Sequence, residues 1–347
     1  MIPVKNIYYM LSYAFSALRS KGYASIAAED FDNAEDLLAA ILAKGIDQQV
    51  KRGLKKDYVS TREETRSPRG KIDISSSIKT NSQIKGRLHC EFDEFTTNNY
   101  LNRILKTAGI KLLKSKISKD RSKALKRSLT HLANVDTLDE QKIVWSRKYD
   151  RNSRTYQMLV SVCYLVICGL IHSEIAGSLK IETFDEEIMS RLYEKFVLEY
   201  FKAEHGDRLT ASAPFVPWAL DDDYDNLLPA MRTDIMLERR NHTSKDLLII
   251  DTKYYAHALQ TRFDRQTIHS GNLYQIFAYV KNMEASLSAA QKPHKISGML
   301  LYAKTDELIS PDESYMMSGN RIAVRTLDLN QPFESIRFQL DSIAQSV

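Results

Sequence analysis

Hydrophobic residues recur at helical spacing through much of the first half of the chain. One apolar stripe near the N-terminus consists of Ile7, Leu11, Ala14, Phe15 and Leu18. The run AEDLLAAILAKGI at 34–46 forms a second stripe, and helical spacing dominates again from about residue 99 to residue 172. This pattern predicts a largely helical N-terminal region.

The stretch from about residue 50 to residue 100 interrupts the helical pattern. Its pieces GKIDIS at 70–75 and GRLHCEFDEF at 86–95 alternate apolar and polar residues, which is typical of strands. SPRG at 67–70 has the composition of a turn. We therefore expect a small-strand excursion within an otherwise helical α+β domain.

The second half of the chain alternates predicted helices with short apolar strands. A more polar segment, HSEIAGSLKIETFD at 172–185, suggests a boundary between domains at 1–175 and 176–347. Beyond it, helical patterns at 185–204 and 272–285 flank apolar runs that include TDIML and LLIID. This order predicts an α/β domain with a mixed central sheet flanked by helices.

Composition narrows the class of protein. The chain has 347 residues with 43% hydrophobic content, enough for two buried cores. Its longest apolar stretch, at 158–171, is too short to span a bilayer, and the N-terminus lacks the layout of a secretory signal. The three cysteines show no C-x-x-C spacing, which disfavours a disulfide framework and a zinc site. We expect a cytoplasmic protein that contacts no membrane.

Positive charge is concentrated in one stretch. The formal net charge is +5, and residues 103–127 carry ten Lys or Arg against the single acid Asp120. Three interpretations remain open: a solvated face of a core helix, contact with DNA phosphates, and docking on an acidic protein surface.

Two aspartates occur among apolar strand residues. Asp234 lies in the run TDIML, and Asp251 ends the run LLIID with Lys253 two residues later. An unpaired carboxylate in an apolar setting is costly, so these acids indicate either a strand end or a bound cation. If the strands are adjacent, both could hold Mg²⁺, with Mn²⁺ as an alternative metal and the carbonyl of Thr252 as a further ligand.

Lys253 lies on the same side of a strand as Asp251, because side chains alternate with a period of two. Beside a metal, its ammonium could orient or help deprotonate an attacking water and offset charge on a phosphate. Such residues would carry out metal-assisted phosphodiester hydrolysis. The alternative is a strand end with a surface ion pair between Asp251 and Lys253, since D-x-K alone is a short and common pattern.

Residues around the two acids resemble the PD-(D/E)xK nuclease superfamily in its RecB-like branch. Asp234 and Asp251 are 17 residues apart, and YQIFAY follows with Gln275 and Tyr279 on one helix face. The resemblance implies that these two residues lie near the DNA backbone. It also implies a further acid on the upstream helix, for which Glu194 in LYEKF is the candidate, with an ion pair to Arg191 or Lys195 as the alternative.

Four segments narrow the resemblance to the McrC family over nearly the whole chain. They are IPVKNIYYMLSYAF, RGLKKDY, FDEFTTNNYLNRILK, and the stretch from NLLPAMRTDIML to IIDTKYY. The resemblance implies the endonuclease subunit of a 5-methylcytosine-dependent restriction system. Asp234, Asp251 and Lys253 fall on the family's catalytic positions.

The same resemblance implies partners. These are a hexameric McrB-type AAA+ GTPase, which the N-terminal part of the chain docks on and stimulates, and double-stranded DNA whose methylated cytosine the GTPase reads. A dimer of this chain bridging two rings also fits the resemblance. Independently, the sequence contains no G-x-x-x-x-G-K-[ST] motif, so a nucleotide-driven step needs another protein.

Two other functions remain as alternatives. One is a RecB-like repair nuclease that acts without a GTPase. The other is a non-catalytic adaptor that joins DNA to a motor through a decayed nuclease fold. Retention of Asp234, Asp251 and Lys253 counts against the adaptor.

Overall fold

The computed structural model describes residues 2–145, 154–175, 186–222, 224–240, 244–254, 259–262, 265–291, 293–304 and 311–347. These residues form ten α-helices and thirteen β-strands. They divide into two compact units: residues 33–182 form one, and residues 1–32 together with 183–347 form the other, called here the sheet unit.

The unit at 33–182 is mainly helical, as the sequence predicts. Its helices are α3 (Ala34–Arg52), α4 (Ile74–Lys79), α5 (Tyr100–Lys114), α6 (Lys119–Thr130) and α7 (Arg154–Ile175). Its strands are β1 (Asp57–Thr65), β2 (Lys71–Ile72) and β3 (Leu88–Thr96), and β3 lies in the middle of the three-stranded sheet.

Side-chain caps fix several helix starts in this unit. Asn33 and Asn99 accept backbone hydrogen bonds at the starts of α3 and α5. Asp73 does the same at α4, where its carboxylate accepts from the backbone and hydroxyl of Ser76. The expected strand GKIDIS is therefore too long, because the chain turns into a helix at Asp73. Strand β1 was not predicted, since its residues DYVSTREET are mostly polar.

The basic stretch at 103–127 is partly used inside the unit. The side chains of Arg103 and Lys106 donate to backbone carbonyls between residues 133 and 137. Lys111 is buried, and its ammonium pairs with the Glu140 carboxylate at 2.6 Å. These three cations bind the segment that follows α6. The positive charge that faces solvent therefore comes chiefly from exposed lysines and Arg127 in the rest of the stretch.

The sheet unit carries two N-terminal helices, α1 (Val4–Ala14) and α2 (Ala24–Ala27), followed after the other unit by α8 (Glu186–Glu204). Its strands are β4 (Leu209–Ser212), β5 (Phe215–Val216), β6 (Met231–Arg232), β7 (Ile235–Arg239), β8 (Lys245–Lys253), β9 (Leu259–Arg262), β10 (Arg265–Ile268), β11 (His294–Ala303), β12 (Glu313–Met317) and β13 (Asn320–Leu327). Helix α9 (Ser270–Ala289) precedes β11, and α10 (Phe333–Gln345) ends the chain.

Six strands form the central sheet in the order β12-β13-β11-β8-β7-β4. Strand β11 runs parallel to both β8 and β13, whereas β7 runs antiparallel to β8 and to β4. The predicted mixed sheet is therefore confirmed, as are the predicted helices before and after its central strands. The strands β5 and β6 pair separately with each other, and so do β9 and β10.

The first 32 residues group with the sheet unit, which differs from the expected division at 175/176. The Asn6 amide donates to the carbonyls of Leu329 and Gln331 at 2.8 Å each. The Tyr9 ring stacks on Phe333 with centroids 4.1 Å apart. A sequence-based boundary assumes a continuous domain, and these contacts join segments more than 300 residues apart.

Helix α9 packs against the sheet through a close approach at Gly298 of β11. The core here includes Ile276 and Val280 from α9 and Ile322 from β13, all essentially inaccessible to solvent. A Cβ atom added at Gly298 would lie 2.8–2.9 Å from side-chain carbons of these three residues. Glycine is therefore required for the helix to lie this close to the strands.

Two further observations agree with the composition. No helix within the described ranges is long and apolar enough to cross a membrane. Within the described ranges, Cys90, Cys163 and Cys168 form no disulfide bond.

The close packing at Gly298 yields a stability prediction. Gly298→Ala should lower the free energy of unfolding by about 1–3 kcal/mol, because the added methyl group overpacks the α9 interface. Urea unfolding followed by circular dichroism measures this. The matched control is Gly271→Ala at the start of α9, where an added Cβ meets no atom within 4 Å and stability should stay equal or rise. Equal effects of both substitutions would contradict this packing.

Candidate functional site

Pairing of β7 with β8 brings the two predicted aspartates together. The antiparallel register joins Ile235 to Ile250, and both residues are fully buried. Continuing this register by one residue sets Asp234, just before β7, opposite Asp251 in β8. Residues directly opposite in antiparallel strands project from the same face. The expected adjacency of the two acid-bearing strands is thus confirmed.

Asp234 is held in place by Thr252. Its Oδ2 atom accepts hydrogen bonds from the Thr252 backbone N–H at 2.7 Å and from the Thr252 hydroxyl at 2.8 Å. The preceding residue, Thr233, is buried and donates through its backbone N–H and hydroxyl to the Pro214 carbonyl. These hydrogen bonds of Thr233 fix the chain immediately before the aspartate. The sequence alone did not reveal these anchoring roles.

Asp251 is a buried acid with a nearby cation. Only 2% of the residue is exposed, and its Oδ2 lies 2.7 Å from Lys253 Nζ. Burial raises the pKa of Asp251 from 3.8 to about 6, while Lys253 lowers it and the charge of Asp234 raises it. The protein thus holds Asp251 in a setting that disfavours its charged form.

Lys253 is positioned by a line of polar side chains. Its Nζ donates to Gln275 Oε1 at 3.0 Å, and Gln275 Nε2 donates to the Tyr279 hydroxyl at 2.9 Å. Tyr279 is buried in the hydrophobic core between α9 and the central sheet. The resemblance in the sequence implies that Gln275 and Tyr279 lie near the DNA backbone. In the structure, Gln275 binds Lys253 and Tyr279 binds Gln275. Their direct contact with DNA stays a prediction.

Glu194 faces the same acids from α8. Burial, Asp234 and Asp251 raise its pKa, whereas Arg232 and Arg191 lower it. Neither alternative partner forms an ion pair with it: Arg191 pairs with Glu187 at 2.6 Å. Lys195 lies over the Phe15 ring, 3.7 Å from its centroid. Glu194 is thus close enough to the two aspartates for their charges to raise its pKa, in addition to the larger effect of burial.

The donor set fits a hard divalent cation. Mg²⁺ is commonly held by one or two carboxylates, with water and substrate phosphate completing its shell, and Asp234 and Asp251 supply two. Burial chiefly, and the charge of Asp234 in addition, raise the pKa of Asp251, and a bound cation would oppose both effects. In the described part of the chain no three His, Cys, Asp or Glu side chains come close enough to hold a metal. Glu194 and the Thr252 carbonyl therefore stay predicted ligands.

Comparisons with known proteins agree on one family. The profile described as "McrBC 5-methylcytosine restriction system component" matches residues 4–303. A curated relative, the "Type IV methyl-directed restriction enzyme EcoKMcrBC" of Escherichia coli K12, is 30% identical over 349 aligned positions, covering 98% of this chain and 96% of the relative.

Two solved structures from Thermococcus gammatolerans are also similar. One is a half-complex from a tetradecameric assembly of McrB AAA+ hexamers with bound McrC, at 15% identity and a TM-score of 0.49, covering 99% of this chain and 76% of the other. The second is the McrBC complex, at 19% identity and a TM-score of 0.39, covering 57% of each chain.

The buried acid yields a prediction on stability and pH. Asp251→Asn should make the metal-free protein more stable at pH 7.5, by up to about 3 kcal/mol, the equivalent of a pKa raised from 3.8 to about 6. The pKa of Asp251 is higher in the folded than in the unfolded protein, so ionisation of Asp251 destabilises the fold. This destabilisation is absent below pH 3.8 and complete above about pH 6. The gain should therefore disappear as the pH falls through this window.

Urea unfolding in EDTA at pH 7.5 and pH 4 measures this difference. Asp246→Asn, at the other end of β8, is the matched control and should show no such gain. Added Mg²⁺ should raise the melting temperature of the unsubstituted protein and leave that of Asp251→Asn unchanged. An Asp251→Asn protein that is less stable than the unsubstituted protein at pH 7.5 in EDTA would contradict the electrostatics described here.

Proposed function

This chain belongs to the McrBC 5-methylcytosine restriction system component family, and from that membership we propose that it is the DNA endonuclease subunit of a modification-dependent restriction complex. One observation carries the proposal. Two carboxylates and a lysine, Asp234, Asp251 and Lys253, converge at the ends of neighbouring strands. That combination suits hydrolysis of a phosphodiester bond.

The acids would bind Mg²⁺, or Mn²⁺ in its place, through Asp234, Asp251 and the Thr252 carbonyl, with Glu194 as the further acid. Such an ion supplies Lewis-acid stabilisation of charge on the phosphate and lowers the pKa of water. The protein's own part is orientation. Thr252 fixes Asp234 through two hydrogen bonds, and burial keeps the Asp251 carboxylate in a low-dielectric setting where its field acts strongly.

Lys253 would act on the reacting groups. Its ammonium is held between the Asp251 carboxylate and the Gln275 amide at 2.7 and 3.0 Å, so it needs little reorganisation when substrate arrives. From there it would offset the charge that develops on the phosphate and orient the attacking water. Tyr279, through its contact with Gln275, sets the direction of the lysine from one turn further along α9.

We assign the docking of the GTPase partner to the unit at 33–182. Its small-strand region exposes several large apolar side chains, namely Tyr58, Ile74, Ile78, Ile84 and Phe95. Clustered exposed apolar residues are typical of surfaces that bind another protein. The partner would be a hexameric McrB-type AAA+ GTPase that reads methylated cytosine and moves the DNA, because this sequence has no phosphate-binding loop of its own. A dimer of this chain would bridge two such rings.

Reconstitution tests the proposed function. The chain, its cognate GTPase, Mg²⁺ and double-stranded DNA should give cleavage only when the DNA is methylated and the GTP is hydrolysable. A stand-alone repair nuclease would instead cleave with Mg²⁺ alone. A non-catalytic adaptor would leave the complex without any cleavage that depends on this chain's Asp251.

Asp251→Asn should separate the two activities. Loss of a ligand charge should reduce cleavage by about 10³-fold or more, whereas stimulation of the partner's GTPase should persist because docking is assigned to the other unit. Gel-based cleavage and phosphate-release assays on the same complex measure both. Asp246→Asn should preserve both activities. If Asp251→Asn folded normally yet cut methylated DNA at the original rate, the assignment of the site would be wrong.

Gln275→Leu tests the positioning of Lys253. Removing the amide takes away one of the lysine's anchors but leaves its charge, so kcat should fall about 10–100-fold, with little change in KM. Lys253→Met should cause a larger loss. Steady-state cleavage kinetics of the complex separate the two effects. A Gln275→Leu loss confined to KM would point to direct DNA contact instead.

A further inference from the structure

The ribbon formed by β5 and β6 leads directly into Asp234 and β7, and it carries two exposed side chains. Its register sets Phe215 opposite Arg232 and Val216 opposite Met231. Val216 and Met231 are buried in the α9 core, at 3% and 6% exposure, whereas Phe215 is 65% exposed and Arg232 is exposed. Opposite residues share a face, so Phe215 and Arg232 form an aromatic and cationic pair on the solvent side.

This pair is held rigidly relative to the site. Arg232 lies between buried Met231 and buried Thr233, whose backbone N–H and hydroxyl donate to Pro214 at 3.1 and 3.0 Å. Two residues beyond Arg232 comes Asp234, which Thr252 anchors. The backbone that presents the arginine is therefore fixed on both sides, within about two residues' length of a proposed metal ligand.

The Arg232 backbone pairs with that of Phe215. The Arg232 guanidinium forms no side-chain hydrogen bond and no ion pair with another residue in the part of the chain that the structure describes. An exposed guanidinium without such a partner, two residues before Asp234, is suited to bind an anion that arrives with the substrate.

We propose that Arg232 and Phe215 contact the DNA strand being cut, Arg232 binding a phosphate next to the scissile bond and Phe215 packing against the adjoining sugar or base. Guanidinium groups bind phosphate through paired N–H donors, and aromatic rings stack on bases of any sequence. This inference rests on the proposed nuclease function. The contact would align the DNA strand with Asp234, Asp251 and Lys253.

Charge on the rest of the ribbon favours one path for the strand. The connection between β5 and β6 carries exposed Asp221, Asp222 and Asp225, which repel phosphates. At the other end of the ribbon, the cations Arg232 and Lys253 can attract phosphates. Arg232 precedes Asp234 in the chain, and Lys253 follows it. The DNA backbone should therefore cross the ribbon at Phe215 and Arg232 rather than at its acidic loop.

Single-turnover cleavage of methylated DNA by the assembled complex tests this inference. Arg232→Gln should slow cleavage at least about tenfold, and Arg232→Lys should recover part of the rate. For Arg232→Gln the slope of log rate against log salt concentration should also shrink by about one, because one phosphate contact is lost. Phe215→Ala should slow cleavage about 5-fold or more, and Phe215→Trp should retain it. Melting temperatures and GTPase stimulation should not change, because both side chains are exposed and lie in the sheet unit.

Arg239→Gln is the matched control, since Arg239 is exposed at the far end of β7 and its loss removes the same charge from the same unit. It should cut at the original rate. The inference is overturned if the Arg232→Gln protein cleaves at the original rate, or if its loss of cleavage is explained by a lowered melting temperature. It is also overturned if Arg232→Gln abolishes GTPase stimulation, because the pair would then contact the partner protein. Absence of cleavage by the unsubstituted complex would instead overturn the proposed function on which it rests.

Discussion

Two like charges lie close together on the inner strand β8 and at the start of its neighbour β7, and much of the sheet unit is arranged around them. The register of β7 on β8 sets Asp234 opposite Asp251. A slip of one residue would send one of these side chains to the other face. Both faces of β8 are buried from Leu247 to Thr252, so that slip would disrupt close packing on each side of the sheet. The hydrophobic core thus fixes a pair of acids that is electrostatically unfavourable without a cation.

Neighbouring residues offset part of this cost without removing it. Thr252 satisfies one oxygen of Asp234, and Lys253 lies against Asp251. Because the Gln275 amide binds the lysine as well, the lysine's position is set by α9 and not by Asp251 alone. Gly298, which lets α9 approach the sheet closely, therefore also determines where Lys253 is held. Packing and site chemistry depend on the same helix.

Local sequence patterns predicted much of this arrangement. Acids within or at the end of apolar runs indicated the two strands of the site, and helical spacing located α8 and α9. Three features could not be predicted in this way. The docking of Asn6 near Leu329 depends on contacts between distant segments. The burial of Lys111 depends on Glu140, which a count of basic residues does not reveal. The orientation of Gln275 toward Lys253 depends on how closely α9 packs, which spacing alone leaves undetermined.

The central claim is that Asp234 and Asp251 together hold one divalent cation. Anomalous diffraction from crystals of the protein soaked in Mn²⁺ tests it directly, because the signal locates the metal without reference to activity. The account predicts one peak about 2 Å from a carboxylate oxygen of each aspartate, and its loss in Asp251→Asn. A peak bound elsewhere, or one that persists unchanged in Asp251→Asn, would contradict the account.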